Sequence, residues 1–443
     1  MQDALSIHIL AAPAMANRST LAFTLAVLFA INFLNFYDRQ VMGAVAESIK
    51  QEWKLSDSQL SALTTAFVLL YAVVGIPLGR LADVGRRKVI LAVGILVWSG
   101  FTALSGLATS FAMLFVFRLG VGVGEASAAP TGNSLLGDLF PPEQRARAIS
   151  IFMLGLPLGT AASYVISGLV VKATGGWRAA FFVAAAPGLV LALLSLFLPE
   201  PTRGAADPHL RETSGSHAAT IRVILRVPTM WWIIASGALM NLNMYALSAF
   251  TTSFLIRYHG LDIAYANRVS GVIYGIGGSL GLLMGGWAGD RVARWGPSGR
   301  LRCAALASLV TAPLMWHALQ QQRGAYWSFA VFMLLGAAVM YVYYSTVYPS
   351  IHDIVAPKAR GTALSVYFLV FYVFTALGLV LFGWLSDAMA ARALAAGATA
   401  IESRAIGLHD AMTSIPVISV VLALVLLAGS RTAVRDYARH HAV

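Results

Sequence analysis

Apolar runs long enough to cross a bilayer recur along the whole chain, and no other feature constrains its fold more. Spanning the hydrocarbon core takes about 20 mostly apolar residues, because a helix rises only ~1.5 Å per residue. On that ruler the first half carries six runs, at roughly 20–46, 57–80, 89–108, 112–137, 148–171 and 177–198. A stretch rich in proline, glycine, serine and charge follows, from Pro199 to about Arg226. Six more runs come after it, at roughly 229–256, 264–289, 303–321, 325–350, 361–386 and 408–429. The expected fold is an all-α membrane protein with twelve transmembrane helices in two six-helix bundles. Residues 1–198 and 227–443 form the bundles, and 199–226 a cytoplasmic linker.

Composition agrees. The chain is 58% hydrophobic and 11% charged, whereas soluble domains are about 25% charged. Too little polar surface exists to face water on all sides. A net charge of +12 suggests nucleic acid at first, but the basic residues sit in short loops between apolar runs, where they set membrane orientation. With an even number of spans, 20 lysines and arginines fall on the side of the termini, nine on the other, and Arg39 and Arg118 inside spans. Both termini are therefore expected in the cytoplasm, with no nucleic-acid partner. Asp3 stands where a basic signal-peptide region would be, so insertion is expected to rely on the first span. Cys303 is the sole cysteine. It has no partner for a disulfide, the histidines show no ligand spacing, and no metal or cofactor is expected.

The two halves repeat one another. Gly79-Arg80-Leu81-Ala82-Asp83, followed by Arg86-Arg87-Lys88, is echoed by Gly286-Trp287-Ala288-Gly289-Asp290, followed by Arg291 and Arg294. Asp83 and Asp290 are 207 positions apart. Pro142-Glu143-Gln144-Arg145 opens the fifth run and Pro357-Lys358-Ala359-Arg360 the eleventh, with an offset of 215 from Arg145 to Arg360. Internal repeats of this length are a mark of transporter architecture. Small residues let helices approach closely, and an aspartate among basic residues or at a neighbouring helix N-terminus can lock that contact. Gly79, Asp83, Arg86, Arg87, Asp290 and Arg291 are the candidate cytoplasmic gate; fixing topology alone is the bland alternative.

Gly79-x-Leu81-Ala82-Asp83 with Arg86-Arg87-Lys88 resembles the signature loop of the major facilitator superfamily, except that Val84 stands where a basic residue usually follows the aspartate. Asn35-Phe36-Tyr37-Asp38-Arg39, Leu55-Ser56-Asp57-Ser58-Gln59, Tyr71 to Gly79, Arg118 to Ala126 and Gly176-Trp177-Arg178 are similar to Spinster proteins. That resemblance lies mostly in the N-terminal half. That family includes exporters of sphingosine phosphate and lysophospholipids, and the resemblance implies a transporter of a lysolipid or other amphiphilic anion working by alternating access.

Four ionisable residues lie inside spans: Asp38 and Arg39 in the first, Arg118 and Glu125 in the fourth. Such residues are costly in lipid and are functional candidates by default. Two acids and two guanidiniums sum to zero, which suits burial as a paired cluster. In Spinster-like proteins the matching residues are implicated in proton-linked conformational change. A carboxylate that moves away from an arginine gains proton affinity, and coupled sites titrate together. A static ion cluster is the alternative. Gly120-x-Gly122-x-Gly124 has the look of a dinucleotide loop, but no strand precedes it, and close helix packing explains it better.

Asn241, Asn243, Tyr245, Tyr341, Tyr344 and Tyr367 could line a substrate cavity, offering hydrogen bonds beside apolar area; packing between helices is the alternative. Together these features point to a proton-coupled secondary transporter of a lysolipid or similar amphiphilic anion. It is expected as a monomer in a bacterial inner membrane, with protons and the bilayer as its other partners. Drug efflux or organic-acid transport fits the same scaffold, and a passive lipid scramblase or sensor is the rival of another class. No nucleophile, base and oxyanion set supports an enzyme.

Overall fold

A computed structural model of the protein describes residues 17–140, 142–202, 217–296, 298–355 and 360–441. Much of the linker and the Pro357-Lys358-Ala359 part of the second echo lie outside the described residues. In chain order the first half comprises α1 (Arg18–Trp53), α2 (Asp57–Val84), α3 (Arg87–Gly106), α4 (Phe111–Glu125), α5 (Ala128–Leu139), α6 (Pro142–Met153), α7 (Gly155–Thr174) and α8 (Arg178–Leu196). A short helix, α9 (His217–Ile224), precedes the second half. There follow α10 (Pro228–Arg257), α11 (Ile263–Ala293), α12 (Gly299–Leu319), α13 (Tyr326–Ile354), α14 (Arg360–Ala395), α15 (Ala400–Met412) and α16 (Ser414–His441).

Three expected spans are broken helices: α4–α5, α6–α7 and α15–α16. Eleven segments among the described residues are long and apolar enough to cross a membrane. The ninth run, α12, is a 21-residue helix diluted by Arg300, Arg302 and His317, and it is held between α13 and α16. Helix starts follow the sequence. Ser56 with Gln59, and Thr399 with Glu402, form capping boxes, each side chain pairing backbone N–H groups that the first turn leaves free.

Packing within each half has the same plan. Helix α3 packs on α4 and α8, and α1 on α7 and α8; in the second half α12 packs on α13 and α16, and α10 on α14 and α16. The contacts between halves obey the same exchange. Helix α2 meets α14, α7 meets α11, and α1 meets α10; swapping the halves turns the first pair into the second and leaves the third unchanged. The bundles are pseudo-symmetric.

A pair of ion contacts repeats as well. Arg87 at the start of α3 pairs with Asp138 at the end of α5, and Arg300 at the start of α12 with Asp353 at the end of α13, at 2.6 Å. The offsets are 213 (87 to 300) and 215 (138 to 353). Arg87 is 1% exposed. It also donates to Glu200 Oε1 at 2.8 Å and to the Pro201 carbonyl at 2.5 Å, tying the exit of the first bundle to its core. Burial opposes ionisation of Glu200, but hydrogen bonds from Arg87 and the Lys88 amide outweigh it and hold that carboxyl below its usual range.

Candidate functional site

The halves close on each other unevenly. We call the face carrying the chain ends the terminal face and the opposite one the far face. From mid-membrane to the far face the seam is tight. Tyr71 stacks edge-on against Tyr372, with centroids 5.3 Å apart, and Thr65 donates to the Ala376 carbonyl at 3.0 Å. A Cβ on Gly383 would meet Ser61 Oγ at 2.4 Å and the Asp57 carbonyl at 2.5 Å. Tyr164 donates to the Ser248 carbonyl, and Asn267 to the Ala44 carbonyl at 2.9 Å. Nearer the terminal face, a Cβ on Gly75 or Gly79 of α2 would meet nothing within 4 Å among the described residues, and Val84 is 82% exposed.

Of the four intramembrane charges, Arg39 lines a cleft at this seam with Tyr245 of the other half, while Asp38 and Arg118 pack against α3 and α2 of their own bundle. Arg39 Nε donates to Glu125 Oε2 at 2.8 Å, joining α1 to α4. Asp38, fully buried, accepts from Thr102 Oγ1 at 2.6 Å. Arg118 is 1% exposed, and its guanidinium carbon lies 5.2 Å from the Phe67 ring centroid. The four do not close into the fully paired cluster that charge balance suggested. Asp38 Oδ1, Glu125 Oε1, and Arg118 Nε and Nη1 find no hydrogen-bond partner among the described residues. Groups left this way in a low-dielectric interior are costly, so this is an arrangement with unused pairing capacity.

Aromatic rings hold Arg39 in place. Its guanidinium carbon is 4.4 Å from the centroid of Tyr71, 5.0 Å from Phe36 and 5.2 Å from Phe67, distances at which a cation is attracted by the ring face. Tyr245, from the other half, lines the same small cleft with Gln40 and Thr64. From Tyr372 a chain of touching rings continues through Phe371, Tyr367, Tyr348 and Tyr344 to Tyr341, each step between 4.2 and 5.7 Å. Tyr344 donates to Met244 Sδ at 2.9 Å and to Asn241 Oδ1 at 3.4 Å. Asn243 points elsewhere, donating to Ser419 Oγ at 3.0 Å inside the second bundle.

The sequence reading did not single out Thr102, Phe67, Tyr71 or Tyr372. Tyr71 lay within a quoted motif, but nothing in spacing showed that it faces Arg39. The glycines of the fourth run sit where α4 crosses its neighbours: a Cβ on Gly122 would be 2.7 Å from the Phe67 carbonyl, and one on Gly124 2.5 Å from the Trp98 amide. At the proposed gate, Arg87 is committed within its own bundle. The side chain of Asp83 lies outside the described residues; Asp290 is exposed, and Arg291 stands 5.7 Å over the Trp287 ring.

Two repeated bundles, a seam closed on one side, and charges buried within a spanning bundle beside it are the marks of a transporter. The family model "Major Facilitator Superfamily" matches residues 28–379.

The chain belongs to the major facilitator superfamily.

Within it, the protein is of the Spinster type. It is 30% identical over 368 residues to protein spinster homolog 1 of Mus musculus, covering 76% of this chain and 67% of that one. It is 29% identical over 366 residues to an MFS-type efflux pump of Mycolicibacterium smegmatis, covering 82% and 84%. Among solved structures, a bacterial homolog of the human lysosomal transporter Spinster, inward-facing and unoccupied, superposes with a TM-score of 0.84 at 27% identity. That superposition covers 95% of this chain and 99% of the other. This major facilitator protein is a transporter of a small-molecule substrate, integral to a membrane, and not an enzyme.

Proposed function

We propose that the protein is a proton-coupled transporter of an amphiphilic anion, a lysolipid or similar molecule, working by alternating access. The observation that carries this reading is the Arg39–Glu125 pair, buried at the meeting of the two halves beside unpartnered atoms of Asp38, Glu125 and Arg118. Protonating Glu125 removes the charge that engages Arg39. The guanidinium, held by Tyr71, Phe36 and Phe67, is then free to take an anionic headgroup, while the tyrosine chain from Tyr372 to Tyr341 offers a wall for an acyl tail. Re-pairing of Arg39 with ionised Glu125 would expel the anion and reset the cycle. Asp38, held by Thr102, and Arg118 share the titration.

Both termini are assigned to the cytoplasm of a bacterial inner membrane, on the basic-residue asymmetry of the loops. The state described here then faces the cytoplasm, like its inward-facing homolog. Residues 1–198 and 227–443 act as rocking units joined by the 199–226 linker, in a monomer. Gly79, Asp83, Arg86, Asp290 and Arg291 close the cytoplasmic side in the other state, with Arg87 bracing the loop through Asp138 and Glu200. The mycobacterial efflux-pump relative supports a second reading, in which the same machinery exports drug-like compounds.

The decisive experiment is Glu125→Gln in protein reconstituted into liposomes, with monodispersity and thermal stability as the fold control. Uptake of radiolabelled lysophospholipid should lose its dependence on pH, and Asp38→Asn should shift or abolish it. Folded variants that keep the parent pH profile would reduce the cluster to a structural role. A panel of organic cations and acids in the same assay separates the lipid reading from efflux.

A further inference from the structure

A second charge cluster, outside the Arg39–Glu125 site, bridges the halves at the far face. Arg257, at the last turn of α10, donates through Nε to Glu47 Oε2 at 2.8 Å, and through Nη1 and Nη2 to Asp57 at 2.8 and 2.9 Å. Lys50 of α1 also pairs with Asp57. Ser386 of α14 donates to Asp57 Oδ2 at 2.7 Å. Asp387 returns the connection: its carboxylate accepts from the Asp57 and Ser58 amides at 2.8 and 2.9 Å and from Ser58 Oγ at 2.8 Å. The N-terminus of a helix in one half is thus capped by a carboxylate of the other. The ion-paired side chains are only 4–8% exposed.

The pseudo-symmetry explains why acids are needed here. Lys50 and Arg257 are 207 positions apart, the same offset that relates Asp83 to Asp290. They are equivalent cations from the two halves, brought together as the far side closes. Alone they would repel. Glu47 and Asp57 stand between them, and both come from the first half: Lys50 pairs with Asp57 within that half, whereas Arg257 finds these acids only while the halves touch. Breaking a buried, well-paired contact of this kind by removing one partner carries a large penalty.

We propose that Glu47, Lys50, Asp57, Arg257 and Asp387 are the latch of the far-side gate, which must separate for that side to open and whose strength sets the balance between the two open states. The inference rests on the alternating access of the proposed function and on the contacts above. It does not depend on the proton site, so a failed Glu125→Gln prediction would leave it standing.

Cysteine accessibility tests it. In a Cys303→Ser background, Ala249→Cys places a thiol in the small inter-half cleft beneath the latch, which Ala249 lines. A membrane-impermeant sulfonated maleimide is applied to the far face of sealed cells. Asp57→Asn and Arg257→Gln should each raise the labelling rate roughly tenfold or more, as the loss of a buried pair shifts a two-state balance. A Ser58→Cys/Asp387→Cys disulfide should suppress that rise, and reductant should restore it. If either charge variant fails to fold, Asp387→Asn, which removes only the inter-half cap, should still raise labelling several-fold. Unchanged labelling in folded variants would overturn the latch, even if thermal stability fell. So would a rise that persists with the disulfide formed.

Discussion

Thr102 illustrates how one residue sets the behaviour of another. Its hydroxyl donates to Asp38 Oδ2 at 2.6 Å, while Oδ1 has no hydrogen-bond partner among the described residues. Replacing Thr102 with valine keeps the shape and removes the donor. A buried acceptor left unsatisfied costs about 1–3 kcal/mol, so Thr102→Val should lower thermal stability at neutral pH. The loss should shrink on acidification if Asp38 takes up a proton, and transport should shift its pH midpoint. An identical midpoint in valine and parent proteins would remove Thr102 from the coupling. Arg39 offers a parallel case: Tyr71→Leu removes the nearest ring, 4.4 Å away. Cation–π contacts are worth roughly 0.5–2 kcal/mol, so substrate affinity should weaken several-fold while folding is kept; a binding isotherm checks this.

Helix ends carry the next level. The turn after α10 places His259 in a ring cluster with Phe254, Tyr258 and Phe329. Both its ring nitrogens lack a hydrogen-bond partner among the described residues. Burial, and then the charge of His409, hold its pKa down at about 4. Between that value and the ~6.5 of an exposed histidine the unfolded chain binds more protons than the folded one. Stability should therefore be full above pH 6.5 and fall as pH drops toward 4. His259→Phe keeps an aromatic ring in the cluster and should flatten that decline, measured as melting temperature against pH. A decline as steep as the parent's would place the acid sensitivity in other groups. Where α4 crosses α2, Gly122→Val would press a side chain onto the Phe67 carbonyl, 2.7 Å from the Cβ position alone. Overpacking of this kind costs about 1–3 kcal/mol, and it would disturb the Phe67 ring that both guanidiniums share.

Across the whole molecule, the repeated ion contacts differ in weight between halves. Arg87 is 1% exposed with two acids and a carbonyl around it, whereas the Arg300 and Asp353 side chains are 21% and 28% exposed. Truncating Arg87 to methionine removes a buried guanidinium from two partly exposed acids, and the lost charged hydrogen bonds should cost about 1.5–3 kcal/mol. Arg300→Met should cost under ~1 kcal/mol, as water already screens that pair. Thermal unfolding of the two variants, side by side, gives the comparison; equal losses would mean that burial does not set the hierarchy. The same asymmetry marks the seam, where acids of the first half serve cations of both.

Apolar runs determined the helices and their grouping by sixes, because lipid allows a spanning chain no other way to pair its backbone, and the loop motifs pointed to the family. The intramembrane position of Asp38, Arg39, Arg118 and Glu125 was equally legible, since a charge in an apolar run announces itself. Who pairs with whom was not. Arg39 chooses Glu125, 86 residues away, and Arg257 reaches Glu47 and Asp57 across 210 and 200 residues. Read along the chain, Lys50 and Arg257 were loop cations that count toward orientation; only the folded seam makes them parts of a buried network. The side of a helix that a residue presents follows from its spacing, but the neighbour it meets depends on how two bundles dock. That docking is a sum over many weak contacts far apart in sequence, and it is settled by the tertiary structure alone.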